Sequence, residues 1–201
     1  MKGVILVSGL ATYVYHKEGY DVIGVDHGAF ICAKENVYMK AAIGDFDSVN
    51  YEQLDKIEEM ADVVEKLPTH KNETDTEQAI LYAMEQGYED IVICGALGGR
   101  MDHELANLYL MMYRDYPITI VNENNRMRVL KVGKYRIQKE YTYLSILPIE
   151  SSCISECGVA YPLEKRMITC ENIYTISNEI IDEFATITIH EGKIILIESN
   201  D

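Results

Sequence analysis

The chain has 201 residues, 48% of them hydrophobic, enough to bury one large core or two small ones. Its 33 acidic against 18 basic residues leave a formal charge of −15, without the clustered Lys and Arg that hold a nucleic-acid backbone. No apolar run approaches the roughly 18 residues of a membrane span, Val4–Val7 is too short for a signal-peptide core, and the five cysteines at 32, 94, 153, 157 and 170 lack paired zinc spacing, so a cytoplasmic protein with reduced thiols is expected.

In chain order, Val4–Val7, Val22–Val25, Ala41–Ile43, Val63–Leu67, Ile91–Cys94 and Ile118–Val121 read as short β-branched strands. Between them, Tyr51–Ala61, Thr76–Gly87 and Asp102–Tyr113 carry apolar residues at helical spacing. Such alternation predicts an α/β domain with a largely parallel, Rossmann-like sheet covered on both faces. At the turn-forming Asn122-Glu123-Asn124-Asn125 the pattern changes. Met127–Val132, Tyr135–Gln138, Thr142–Pro148, Gly158–Ala160, Met167–Thr169, Phe184–His190 and Lys193–Glu198 read as strands, and Glu191-Gly192 as a tight hairpin turn. The expected division is therefore an α/β domain over 1–122 and an all-β domain over 123–201.

Acidic residues gather where the predicted strands end. Asp45 and Asp47 follow Ala41–Ile43 beside Gly44, two carboxylates able to converge on a hard cation. For a lone Asp-x-Asp, an ordinary polar turn is the commoner explanation. Lys71 and Asp75 follow Val63–Leu67, where a cation and an anion could hold a metal-phosphate unit, while Thr74 reads equally as a helix cap with Glu77 in the first turn. Asp26 ends another strand, and alone it reads as a cap for Ala29-Phe30-Ile31-Cys32. In Cys94-Gly95-Ala96-Leu97-Gly98-Gly99-Arg100-Met101-Asp102, the glycines let backbone N–H groups approach phosphate oxygens and Arg100 can bind phosphate bidentately. Asp102 either joins the metal ligands or starts the helix. Carboxylates, a lysine, a glycine-rich turn and an arginine on one sheet edge are what phosphoryl transfer requires.

These strings, in this order, resemble the thiamine pyrophosphokinase family: Asp26-His27-Gly28-Ala29, Gly44-Asp45-Phe46-Asp47-Ser48, Lys71-Asn72-Glu73-Thr74-Asp75-Thr76-Glu77, Gly95 to His103, and Ser177-Asn178-Glu179. The resemblance spans nearly the whole chain. It implies an N-terminal α/β catalytic domain that binds ATP and metal, a C-terminal β-sandwich that contributes to thiamine binding, and a homodimer with active sites at the subunit interface. The implied reaction moves the pyrophosphoryl group of ATP, the co-substrate, onto thiamine. By the same resemblance Asp45, Asp47 and Asp75 hold Mg²⁺ with Asp26 and Asp102 nearby, and Lys71 and Arg100 meet phosphate. Gly28, Ser48, Thr74, Gly98 and Gly99 belong to the binding loops, and Ser177 and Asn178 meet thiamine from the partner subunit. The chain departs from the family in His27, in the absence of a glycine before Ser177, and in having no tryptophan. Rival readings are pyrophosphorylation of another hydroxymethyl heterocycle such as a pterin, a non-catalytic nucleotide or thiamine sensor, and a magnesium-dependent phosphohydrolase.

Overall fold

The structure, a computed structural model, describes residues 2–47, 49–67 and 73–201. The chain forms two compact units, Met1–Asn122 and Glu123–Asp201.

In the first unit, β1 (Gly3–Val7), β2 (Tyr20–Val25), α1 (His27–Lys34), β3 (Ala41–Gly44), α2 (Tyr51–Glu59), β4 (Val64–Lys66), α3 (Asp75–Glu85), β5 (Asp90–Cys94), α4 (Met101–Tyr113) and β6 (Ile118–Val121) follow one another. The strands lie in the order β4-β3-β2-β1-β5-β6, and each neighbouring pair is parallel. A parallel sheet needs cover on both faces, and every residue of β1 is accordingly buried. Ile5, Val7, Val92 and Cys94 pack with Ala29, Cys32 and Ala33 of α1 and with Ile57 of α2. Helix α3 lies against β1, β2 and β3 and buries Ala79, Ile80 and Ala83. Local chemistry sets the helix starts: Asn50 and Gln53 form a reciprocal capping box for α2. At α3, the Thr74 hydroxyl accepts the Glu77 amide at 3.2 Å.

The second unit contains β7 (Asn125–Leu130), β8 (Gly133–Gln138), β9 (Tyr143–Pro148), β10 (Ser152–Cys157), β11 (Leu163–Ile168), β12 (Phe184–Glu191) and β13 (Ile194–Ser199). Strands β7-β13-β9 pair antiparallel, as do β11-β10-β12-β8. Inward residues of both groups, among them Leu144, Ile146, Leu196, Ile154, Ile187 and Ile189, make one core, so the unit is a β-sandwich.

Three sequence expectations change here. Ser152–Cys157 is a strand that apolar patterning missed, because two of its inward residues, Ser152 and Glu156, are polar. Gly158–Ala160 is not a strand: Val159 makes only a bridge to Ile180. Glu191-Gly192 is not a hairpin, since β12 pairs with β10 and β8 whereas β13 pairs with β7 and β9. The turn instead carries the chain from one layer to the other. Gly192 has φ +84, and a Cβ there would stand 2.3 Å from Ser152 Oγ, so both the backbone angle and the space demand glycine.

Candidate active site

Parallel strands bring their carboxyl ends to one edge, and the order β2-β1-β5 makes the chain switch direction of travel across β1. At such switch points the flanking loops part and leave a crevice. A cavity of about 370 Å³ opens here, lined by Ser8 after β1, Asp26 after β2, Asp75 at the start of α3, Gly95 after β5, and Arg100 and Asn107.

Asp26 is a strained residue of this edge. Its backbone has φ 48 and ψ −121 at the N-cap position of α1, yet its side chain makes no capping hydrogen bond. Such a left-handed conformation costs a non-glycine residue about 1–3 kcal/mol. The chain reaches it because two glycines clear the space: a Cβ on Gly28 would lie 1.9 Å from the Val7 carbonyl oxygen, and one on Gly44 would lie 1.9 Å from Asp26 Oδ1. Oδ1 is buried and has no hydrogen-bond partner among the described residues. Burial pushes the Asp26 carboxyl up to about 7, the charges of Asp75 and Asp45 press the same way, and a contact with Asp75 is open only to the protonated form.

Asp45 leaves β3 directly. Its Oδ1 accepts the Asp47 amide at 3.1 Å, which curls the turn and sets Phe46 at φ 56 with its side chain buried. The Asp47 side chain is exposed. Ser48 and Lys71 lie outside the described residues. Asp26, Asp45 and Asp75 are thus brought within electrostatic reach of one another, with Asp47 at the exposed end of the turn. Such a donor set, with the charges of Asp45 and Asp75 pressing on Asp26 and one buried Asp26 oxygen lacking a partner among the described residues, suits a hard divalent cation. Among the described residues, no three His, Cys, Asp or Glu side chains are close enough to hold a metal ion as they stand. The set is charged for a cation but not closed around one.

The glycine-rich loop already binds an anionic group. The amides of Gly98 and Gly99 donate to Glu104 Oε1 at 3.0 and 2.7 Å, so a carboxylate from the first turn of α4 fills the nest. Sequence reasoning assigned Glu104 no role. Asn107, also unassigned, is buried on α4 and donates to the Ala96 carbonyl at 2.9 Å, tying the loop to the helix. Its position three and four residues before the buried Leu110 and Met111 was the available signal, a polar residue on an inward face. Arg100 and Asp102 bind each other bidentately in solvent, at 3.1 and 2.6 Å, and the hydrogen bond from Arg100 draws the Asp102 carboxyl down to about 2. In this arrangement Asp102 accompanies the arginine rather than Asp26, Asp45 and Asp75.

Two family models match this chain. The model described as thiamin pyrophosphokinase, catalytic domain, matches residues 15–121, and that described as thiamin pyrophosphokinase, vitamin B1 binding domain, matches residues 134–194. The chain belongs to the thiamin pyrophosphokinase family. It is 31% identical to thiamine pyrophosphokinase of Bacillus subtilis (strain 168) over 186 residues, covering 89% of this chain and 87% of that protein. Among solved structures it resembles thiamin pyrophosphokinase from Geobacillus thermodenitrificans, with 31% identity and a TM-score of 0.87 over 99% of this chain and 98% of that one. It also resembles a thiamin pyrophosphokinase family protein from Enterococcus faecalis, with 25% identity and a TM-score of 0.88 over the full length of both.

The catalytic-domain match of this thiamin pyrophosphokinase family member contains Asp26, Asp45, Asp47, Asp75, Arg100 and Asp102, and the vitamin B1 binding match contains Ser177 and Asn178. Ser177 is exposed at φ 55, its amide donating to Ser145 Oγ at 2.9 Å. Asn178 turns inward instead. Its side chain is 6% exposed, accepts the Tyr161 amide and donates to the Tyr161 carbonyl, both at 3.0 Å. Within this chain Asn178 therefore shapes the turn, while Ser177 is what the turn displays. No helix among the described residues is long and apolar enough to cross a membrane.

Proposed function

We propose that this chain transfers the pyrophosphoryl group of ATP to the hydroxyl of thiamine, giving thiamine diphosphate and AMP. The observation that carries this reading is the strained Asp26, whose buried and unpartnered oxygen lies within the charge of Asp45 and Asp75, at a switch-point cavity that also receives Arg100. Such a cluster is unstable in isolation and becomes favourable when a cation and phosphate oxygens share it.

In this reading Asp45, Asp47 and Asp75 hold Mg²⁺, and Asp26 lies beside them, relieved of its repulsion. When bound, that ion would neutralise charge on the phosphate oxygens and so make the β-phosphorus more electrophilic. The chain's own groups supply position and charge. Arg100, and Lys71 from outside the described residues, meet phosphate oxygens, and the Gly98 and Gly99 amides exchange the Glu104 carboxylate for a phosphate oxygen. Gly28 keeps α1 against β1 so that Asp26 holds its angle, and Thr74 seats Asp75 at the head of α3.

Residues 1–122 thereby form the ATP- and metal-binding catalytic domain, and residues 123–201 contribute a thiamine contact through the displayed Ser177, whose turn the buried Asn178 holds, together with dimerisation. The match to a vitamin B1 binding domain supports thiamine over a pterin. A homodimer with interfacial active sites is supported by exposed Met101, Leu105, Tyr109 and Tyr113, four apart along α4. A cytoplasmic location accords with the five free cysteines.

The deciding experiment incubates the chain with ATP, Mg²⁺ and thiamine and identifies the products. AMP with thiamine diphosphate is the expected pair. ADP with thiamine monophosphate, or phosphate release that ignores the acceptor, overturns the proposal.

A further inference from the structure

Glu156 lies inside the β-sandwich and has no part in the chemistry assigned so far. Strand β10 alternates so that Ser152, Ile154 and Glu156 face inward, and Glu156 pairs with Leu163 of β11 and Ile187 of β12 with only 3% of its surface exposed. Its Oε1 has no hydrogen-bond partner among the described residues. Burial raises its carboxyl to about 7, and the one influence opposing that rise is a hydrogen bond from the Asn178 side chain. A carboxyl in an apolar core is costly with one oxygen unsatisfied and more costly when ionised. A leucine would pack there without that penalty, so the explanation for Glu156 lies in what it touches.

What it touches is the hub of the turn over residues 174–179. Asn178 Oδ1 accepts the amides of Tyr161 and Glu179, each at 3.0 Å, and Nδ2 donates to the Tyr161 carbonyl at 3.0 Å. The Asn178 backbone exchanges hydrogen bonds with Leu144 at 2.9 and 2.8 Å. An amide nitrogen has two protons. One goes to Tyr161, which leaves the other for the Glu156 carboxyl that Asn178 influences. Rotation of the Asn178 amide would release two N–H groups and a carbonyl at once, and with them the left-handed backbone that displays Ser177.

We infer that Glu156 is a positioning residue for thiamine recognition: from inside the sandwich it locks the Asn178 amide, which holds the turn that presents Ser177. The inference rests on the proposal that this turn meets thiamine. Glu156 itself touches no substrate in this scheme.

The test compares E156L and E156Q in the full chain, with S177A as reference. Loss of the acceptor in E156L should raise the KM for thiamine about 10-fold, leaving kcat and the KM for ATP within about twofold. Without substrate, amide hydrogen exchange at Tyr161 and Glu179 should quicken about 10-fold in E156L. E156Q keeps a carbonyl oxygen for Asn178 and should restore both readouts to within about threefold of the parent. If E156L does not fold, E156M takes its place. Unchanged exchange at both amides in folded E156L overturns the inference, as does an E156Q variant as impaired as E156L. Faster exchange in E156L with an unchanged thiamine KM in both E156L and S177A would show that Glu156 orders the turn but that the turn is not a thiamine site, which overturns the proposed role of Ser177 and the link to recognition together.

Discussion

Replacing Asp26 by Asn should make the metal-free chain more stable and the enzyme inactive. The stability change follows from ionisation. The Asp26 carboxyl stands at about 7 in the folded chain against an ordinary value of 3.8, and at about 1.36 kcal/mol per tenfold change that separation corresponds to about 4 kcal/mol. Because a folded value above the unfolded one means that the folded chain holds a proton the unfolded chain has released, stability falls as pH rises from about 4 to about 7 and then levels off. Asp45 and Asp75 share the repulsion, so neutralising one carboxyl should recover about 2–4 kcal/mol above pH 7 and little at pH 4. Urea unfolding in EDTA at pH 4 and pH 8, parent against D26N, measures the difference. Adding Mg²⁺ at pH 8 should narrow it, because the ion relieves the parent and not the variant. A D26N chain no more stable than the parent at pH 8 in EDTA would refute this account of the site.

Asp47→Asn changes the charge of an exposed turn residue at nearly constant volume, so folding should be untouched while turnover falls about 10²-fold or more; full activity at limiting Mg²⁺ would remove Asp47 from the metal set. Gly28→Ala forces a Cβ to within 1.9 Å of the Val7 carbonyl oxygen and should cost about 3 kcal/mol or more, read as a fall in Tm on the order of 10 °C; an unchanged Tm would mean that α1 is not pinned to β1 there. Glu104→Ala empties the nest of its own carboxylate, so inorganic pyrophosphate should bind it about 3–10-fold more tightly by calorimetry; equal affinity would count against an anion site at Gly98 and Gly99.

The fold class was legible where chemistry and burial agree. Strands β1, β2 and β5 each carry a short, largely β-branched buried run because both faces of a parallel sheet are covered, and the helices between them keep an apolar stripe. Strand β10 escaped because its inward positions include Ser152 and Glu156, so no hydrophobic alternation survives in the sequence. Gly192 announced a turn correctly, yet a glycine at positive φ carries no information about which strands it joins, and here it joins two layers. At the site, Asp26, Asp45 and Asp75 stood out because each lies just beyond a strand or at a helix start. Pairing was what remained hidden. Arg100 and Asp102 each looked like a ligand for something else, whereas in the folded chain they bind each other and Glu104 reaches back to Gly98 and Gly99.

The cavity takes its walls from Ser8, Asp26, Asp75 and Gly95, positions scattered over most of the first unit and adjacent only because neighbouring parallel strands are in register. A fragment that kept some of these strands would keep no fraction of the catalyst. Catalytic competence should thus vanish in step with the cooperative melting of the whole α/β unit, which makes turnover itself a gauge of global rather than local integrity.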